Sequence, residues 1–295
     1  MQVLRLIIAL VVLLGCHSTT TTAFVQPTVS IARSAENNRQ GRLLCDQKSR
    51  HNNNHNKNRQ SLATQQQQQS DAADNNNKAD VFFDGRTTFA LVGGQSLLIL
   101  GSIAVAALVG TPRFGLGPGF DLSWSAVGTG VLLTLPLGIL AALLDLVEER
   151  FQALKDVTKA TQRSVLALLG GEFKPVIALV TSLALGCVAG LGEEMLFRGV
   201  LQFELSARFG EVLAIGLSSV IFGLLHAVTP LYAILATLAS VYFGAIYIWS
   251  SNLAVPIVTH AFYDLVALLF AHWTVSRLSE QEQQSLSLWK GPGDV

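Results

Sequence analysis

Long apolar stretches separated by short polar breaks fill the chain from about residue 87 to residue 272. A helix that crosses a membrane needs about 20 predominantly apolar residues, and stretches near that length recur here. The break over residues 111–124 holds two prolines and several glycines, which predicts a loop. The pattern therefore predicts an all-α membrane protein, a bundle of about six transmembrane helices over residues 89–110, 125–147, 175–192, 212–226, 231–249 and 253–272.

The first 86 residues follow a different pattern, which is typical of targeting segments. Arg5 and the apolar run over residues 6–15 predict a signal peptide, residues 1–23, that is too short to span a membrane. Residues 24–60 contain seven Lys or Arg against two acids, a balance typical of a transit peptide. Together they resemble the bipartite plastid presequence of algae with secondary plastids. An ordinary secretory signal, or a lipobox ending at Cys16, is the alternative.

An Asn- and Gln-rich linker, residues 61–86, separates this leader from the helices. Such a segment cannot bury a core, and we expect it to be disordered. The predicted organisation then continues with N-terminal transmembrane helices over residues 87–172, a core of further transmembrane helices over residues 173–272 and a polar C-terminal tail over residues 273–295.

The composition agrees with a membrane protein. Half of the residues are hydrophobic, only 14% are charged and the mean hydropathy is +0.44. The net charge is zero, so nothing indicates a nucleic-acid partner. The three cysteines, Cys16, Cys45 and Cys187, are scattered and do not predict a disulfide framework.

Three short segments of the sequence (the three phrases) contain ionisable side chains in apolar surroundings, where a charge is energetically unfavourable. Between residues 212 and 276 there is no Lys, Arg or Glu, and Asp264 is the only acid. A charge at the centre of a bilayer helix costs about 2.5–3.5 kcal/mol on insertion scales, so such residues indicate a functional site. The candidate site residues are Glu193, Glu194, Arg198, His226, His260 and Asp264.

Helical spacing predicts how these residues pair. Glu194 and Arg198 lie four residues apart on one helix face and are predicted to form an ion pair. Glu193 is then left without a local cation and is the natural candidate for a base. His260 and Asp264 have the same spacing, so the carboxyl group can orient the imidazole. Because the three phrases lie on different helices, their convergence would form a polar cavity inside the bundle.

Small side chains on one face of the helix that leads to Glu193 predict where a neighbour packs. Ser182, Gly186 and Gly190 recur every four residues, a spacing that lets a second helix approach closely. We expect this row to bring the acids against a helix that carries a histidine.

Each phrase alone has a simpler interpretation. A Glu–Arg pair is usually a solvated helix face, a lone His at a helix end is usually interfacial, and His260 with Asp264 could be a structural pair. His272 and Trp273 are predicted to belong to the aromatic belt at the membrane surface. The joint occurrence of the three phrases favours a site.

The motifs Glu-Glu-x-x-x-Arg, Phe-x-x-x-His and His-x-x-x-Asp, in this order, resemble the signature of the CPBP intramembrane proteases. This family includes the type II CAAX prenyl endopeptidases, and the resemblance covers roughly residues 173–272. It implies that Glu193 activates the attacking water, that Glu194 and Arg198 support it, and that His226 lies beside the water. It further implies that His260 and the residue four positions on stabilise the oxyanion.

Two features of the implied site stay open. Many family members have Asn where this chain has Asp264, and an ionised Asp only accepts hydrogen bonds. Either Asp264 is protonated or it orients His260. The family has usually been classed with metalloproteases, so His226 and His260 could bind Zn²⁺, with Glu193 or Asp264 as a third ligand. Water activation without a metal is the alternative, and no His-Glu-x-x-His motif is present.

The sequence therefore predicts an intramembrane (metallo)endopeptidase that acts on membrane proteins or peptides in a lipid bilayer, in a plastid membrane or a membrane of the secretory pathway. A catalytically silent scaffold that assists import is the first alternative. A transporter that uses the buried acids as a proton relay is the second.

Overall fold

The described part of the chain, residues 85–292 of a computed structural model, consists of helices and loops without a strand. The predicted signal peptide, transit segment and nearly all of the linker lie outside the described residues. The helices are α1 (Gly85–Val109), α2 (Trp124–Leu132), α3 (Leu135–Val147), α4 (Gln152–Leu169), α5 (Pro175–Glu194), a π-helix (Met195–Gln202), α6 (Phe203–Phe209), α7 (Glu211–Leu225), α8 (Pro230–Ser250), α9 (Ala254–Val275) and α10 (Glu280–Leu288).

Within residues 85–292, five segments are long and apolar enough to cross a membrane: Gly85–Val109, Trp124–Arg150, Pro175–Phe209, Pro230–Ser250 and Ala254–Val275. The prediction of an all-α membrane protein is confirmed. The sixth predicted span, residues 212–226, forms α7, which has only 15 residues. At 1.5 Å per residue α7 is about 22 Å long, shorter than the hydrocarbon core of about 30 Å.

The second span is broken in its middle. Pro136 removes a backbone donor and crowds the carbonyl group four residues earlier, and α2 ends there, at Leu132. Thr134 lies at the break, and its hydroxyl group donates to the carbonyl oxygens of Gly130 (3.2 Å) and Thr259 (3.3 Å). The break thus ties α2 to α9, whereas α3 buries none of its residues.

The predicted row of small residues on α5 packs against α9. A Cβ atom at Gly186 would lie 2.6 Å from the carbonyl oxygen of Ala261, and one at Gly190 would lie 2.9 Å from the Ala261 nitrogen. Gly186 also approaches Leu265 while Gly190 approaches Ile257, so the two helices run antiparallel. The prediction that small residues bring α5 against a histidine-bearing helix is confirmed.

The predicted polar C-terminal tail, residues 273–295, contains a helix, α10. Helix α9 continues to Val275, and α10 begins with a capping box in which Ser279 and Glu282 exchange hydrogen bonds. The amide nitrogen of Gln283 is buried and donates to the carbonyl oxygens of Gly171 (3.1 Å) and Val275 (3.1 Å). These contacts hold α10 against the α4–α5 connection and the end of α9.

The prediction that His272 belongs to an interfacial aromatic belt is wrong. Its side chain is buried, and its ring stacks on Phe173 with 6.0 Å between the centroids. Its Nε2 accepts a hydrogen bond of 3.1 Å from the backbone N–H of Lys174. Because Lys174 precedes the first turn of α5, His272 satisfies a donor that the start of that helix leaves free.

Candidate functional site

The two acids of the first phrase are the last two residues of α5, where the helix passes into the π-helix. Glu193 is 4% exposed and Glu194 is fully buried, and every residue of the π-helix is buried as well. His260 lies in the second turn of the antiparallel α9 and is also buried. A π-helix is rare and is found mostly at functional sites, because its wider turn redirects side chains.

The predicted Glu194–Arg198 ion pair is present, at 2.9 Å between Arg198 Nη1 and Glu194 Oε1. Arg198 Nη2 donates to the hydroxyl oxygen of Ser240 (2.7 Å) and to its carbonyl oxygen (2.8 Å). The guanidinium carbon lies 5.2 Å from the ring centroid of Phe222 and 5.3 Å from that of Phe243. A fully buried cation needs such partners, and Arg198 joins the π-helix, α7 and α8 around Glu194.

His260 connects Glu194 to Asp264. Its Nδ1 lies 2.8 Å from Glu194 Oε1 and donates to it, while its Nε2 lies 3.5 Å from Asp264 Oδ2. The ring also stacks on Phe243, with 4.9 Å between centroids and 13° between planes. The imidazole is therefore held on one face and at Nδ1, while Nε2 faces Asp264 at a distance longer than an ordinary hydrogen bond.

His226 follows the last residue of α7 and faces Glu193. Its Nδ1 lies 2.8 Å from the carbonyl oxygen of Phe222, which can only accept, so Nδ1 carries the hydrogen. In the neutral ring Nε2 is then an acceptor, and it lies 3.7 Å from Glu193 Oε2. Two acceptors at that distance are too far apart for a direct hydrogen bond but suit a bridging molecule that donates two hydrogens, such as water.

The site is sealed on one side and accessible on the other. The side chains of Glu194 and Arg198 are at most 1% exposed, whereas those of His226 and Asp264 are 26% and 30% exposed. Glu193 lies between these two regions. Reactants can therefore approach His226 and Asp264 while the ion pair stays dry.

The side chains do not fit the zinc site that the resemblance allowed. Among residues 85–292, no group of three or more His, Cys, Asp or Glu side chains is arranged to hold a metal ion. His226 uses Nδ1 for a backbone carbonyl, and His260 directs its two nitrogens at Glu194 and Asp264.

Two partners of the site were not predicted from the sequence. Ser240 of α8 binds Arg198, and Gln95 of α1 donates from Nε2 to Glu193 Oε1 at 3.3 Å. A signal existed for Gln95, because an amide in an otherwise apolar span is costly and needs a partner. No spacing rule identifies that partner on another helix.

The fold and the site define a class of membrane protein in which acids and histidines from separate helices meet inside an apolar bundle. Residues 175–266 match a family model described as type II CAAX prenyl endopeptidase Rce1-like. This segment, about a third of the chain, includes all six predicted site residues. The resemblance predicted from the three motifs is confirmed over this segment, and the match supports an enzyme, an intramembrane protease of the CAAX type. Neither a curated protein nor a solved structure matches the chain.

Proposed function

We propose that this protein is an intramembrane endopeptidase in which Glu193 activates a water molecule to hydrolyse a peptide bond. One observation carries the proposal: Glu193 Oε2 and His226 Nε2 face each other at 3.7 Å, at the border between the sealed and the accessible parts of the site. A water bound there can donate one hydrogen to each. Glu194 is engaged by Arg198 and His260, which leaves Glu193 as the carboxylate able to take a proton.

The reaction follows from these positions. Glu193 accepts a proton from the water while the water oxygen bonds to the carbonyl carbon of the scissile peptide. The carbonyl oxygen becomes an oxyanion, which the Nε2–H of a protonated His260 stabilises. The carbon–nitrogen bond then breaks, and Glu193 returns its proton to the leaving nitrogen. One water is consumed, and a carboxyl and an amino terminus are formed.

In this proposal Asp264 orients His260 and does not donate to the oxyanion. Its Oδ2 lies 3.5 Å from His260 Nε2, a position from which an ionised carboxylate holds the ring in place. The proposal also uses no metal, because both nitrogens of His260 already face carboxylates. We expect 1,10-phenanthroline, a zinc chelator, to leave peptide cleavage by the purified protein unchanged.

The proposal also includes the class of substrate and the membrane in which the protein acts. The family description names prenylated CAAX proteins, yet a plastid address would separate the enzyme from that chemistry. We propose membrane-associated proteins or peptides as substrates, cleaved in a plastid membrane. The mature N-terminus checks the address, because a plastid transit segment places it well beyond Ala23.

The deciding experiment compares wild type with Glu193→Gln and His260→Ala in the same membranes and in reconstituted vesicles. Glu204→Gln is the matched control, because Glu204 pairs with Arg208 at the same spacing but outside the site. N-terminal fragments of membrane proteins and cleavage of a farnesylated CAAX peptide are measured together. Removing a general base lowers the rate by about 10²–10⁴-fold, so both site variants should leave substrates uncut while the control cuts them.

The other outcomes identify the alternatives. Identical fragments in all four proteins, with a complex missing from native gels of the site variants, would establish the scaffold. Proton uptake into vesicles that Glu193→Gln abolishes, with all peptides intact, would establish the transporter.

A further inference from the structure

Helix α1 reaches the candidate base from outside the segment that matches the protease family. Gln95 Nε2 donates to Glu193 Oε1 at 3.3 Å. Only the amide nitrogen of Gln95 can donate to an ionised carboxylate, so the direction of this bond is set by chemistry. The amide oxygen of Gln95 is buried and has no partner among the described residues.

The close approach of α1 depends on the residue just before Glu193. A Cβ atom at Gly192 would lie 3.1 Å from Ile99 Cγ1 and 3.4 Å from the carbonyl oxygen of Gln95. The hydroxyl group of Ser102 donates to the carbonyl oxygen of Gly192 at 3.2 Å. Gln95, Ile99 and Ser102 are spaced four and three residues apart, so they share one face of α1. The glycine and this face together bring the amide to the acid.

The hydrogen bond gives the two oxygens of Glu193 different partners. Oε1 is held by Gln95, and Oε2 is left facing His226 at 3.7 Å. A carboxylate held at one oxygen cannot rotate away from the water position at the other. The amide oxygen of Gln95 can act in the same catalytic cycle. After a 180° rotation of the amide group, it can accept a hydrogen bond from the O–H group of protonated Glu193.

We propose that Gln95 is a positioning residue that fixes Glu193 for water activation. This inference rests on the proposed function, since it assumes that Glu193 is the base. Gln95 contacts neither the water nor the peptide and acts through Glu193. Helix α1 is therefore part of the catalytic unit, which the matched segment does not cover.

The first test measures, in vesicles, turnover of a synthetic peptide that spans a cleavage site found in the fragment comparison. It uses Gln95→Leu and Gln95→Met, which keeps the side-chain length. We expect kcat to fall roughly ten- to a hundredfold with KM unchanged, since a loosened catalytic group slows the reaction without weakening binding. Ser96→Ala is the matched control, because the Ser96 hydroxyl donates to the carbonyl oxygen of Val92 in its own helix and has no other hydrogen bond within residues 85–292.

A second test needs no turnover. Dicyclohexylcarbodiimide labels protonated carboxyl groups in apolar surroundings, and mass spectrometry of the Glu193 peptide measures the rate. Gln95→Leu and Gln95→Met should label faster than wild type and Ser96→Ala at equal melting temperature. Unchanged labelling would overturn the inference whether or not the protein is a protease.

The two proposals fail in different ways. Wild-type kinetics in both Gln95 variants, with Glu193→Gln inactive, would refute the role of Gln95 and leave the protease standing. Full peptide cleavage by Glu193→Gln would refute Glu193 as the general base, and the labelling rates would still decide whether Gln95 controls that carboxyl group.

Discussion

Two acids from different helices, Glu194 of α5 and Asp264 of α9, both face the imidazole ring of His260. Glu194 binds its Nδ1 at 2.8 Å and Asp264 faces its Nε2 at 3.5 Å. An amide at position 264 would keep an oxygen acceptor but lose the negative charge. The contribution of Asp264 can therefore be separated into its charge and its shape.

We expect Asp264→Asn to lower kcat about tenfold with little change in KM. A hydrogen bond to a charged group is stronger than one to a neutral group by about 1–1.5 kcal/mol, which corresponds to that factor. Asp264→Leu should lose more, because no acceptor remains. Peptide cleavage across a pH series measures both variants. An Asn variant that is faster than wild type at alkaline pH would show that a protonated Asp264 donates to the oxyanion.

At the scale of residues, sequence spacing predicted local pairs and missed pairs between helices. Glu194 with Arg198, and His260 with Asp264, are four residues apart, so one helix geometry determines both. Gln95 with Glu193, and Arg198 with Ser240, join residues far apart in the chain. Such contacts depend on how helices pack, which no local pattern contains.

Helix packing at the element scale is dominated by the contact of α5 with α9. Gly190 lies one turn before the site acids, and a Cβ atom there would press on both Ala261 and Ile257 of α9. Any widening of this contact moves Glu194 away from His260. A substitution that widens this contact should therefore lower both the free energy of unfolding and the rate of peptide cleavage.

Gly190→Ala should destabilise the folded protein by about 1–3 kcal/mol, the usual effect of inserting a carbon into a filled contact. Thermal unfolding in detergent measures the change, and peptide cleavage should fall with it. Gly138→Ala is the control, because nothing lies within 4 Å of a Cβ atom at Gly138 in α3. There the substitution should stabilise the helix by about 0.5–1 kcal/mol. Equal melting temperatures for the two variants would contradict the packing described.

Apolar periodicity predicted helix positions well and helix lengths less well. The predicted span at residues 212–226 is a 15-residue helix, which is shorter than the roughly 20 residues that a full crossing needs. The π-helix has no sequence pattern that separates it from an ordinary continuation of α5. Helix α10 did have a signal, Ser279 followed by Glu282, but its polar composition favoured a tail.

At the scale of the whole molecule, α10 fastens the C-terminal end to α4 and α9. An apolar cluster joins these elements through Val165, Leu166, Leu169, Ala271, Val275 and Leu286. The helix itself starts on the Ser279–Glu282 capping box. Hydrogen bonds from the Ser279 hydroxyl and backbone N–H to the Glu282 carboxylate lower the pKa of Glu282 below its usual value of 4.5.

This lowered pKa predicts how α10 responds to acid. The carboxylate stabilises the folded helix above its ordinary pKa, and that stabilisation is lost as the pH falls through the lowered folded value. Amide hydrogen exchange in α10 should therefore accelerate, relative to the other helices, below pH 4.5. Ser279→Ala should show fast exchange already at neutral pH, whereas Ala at the exposed Ser285 should not. An exchange rate in α10 that is independent of pH after correction for intrinsic chemistry would refute this role.

The convergence of the three phrases was predictable because buried charges must find one another in an apolar bundle. The break in the second span and the burial of His272 were not, since both depend on the neighbours that α9 and α5 provide. The predictions for residues 1–84 concern a part of the chain outside the described range.

The position of the reactive groups along their helices determines how far the solvent must travel. Glu193 is the nineteenth of 35 residues in the apolar segment Pro175–Phe209, and His260 is the seventh residue of α9, which begins after the polar Ser250–Asn252 turn. Six helical rises of 1.5 Å place His260 about 9 Å along the axis from the start of α9. In the proposed hydrolysis, the solvent molecule consumed for each bond would travel about that distance from the Ser250–Asn252 turn.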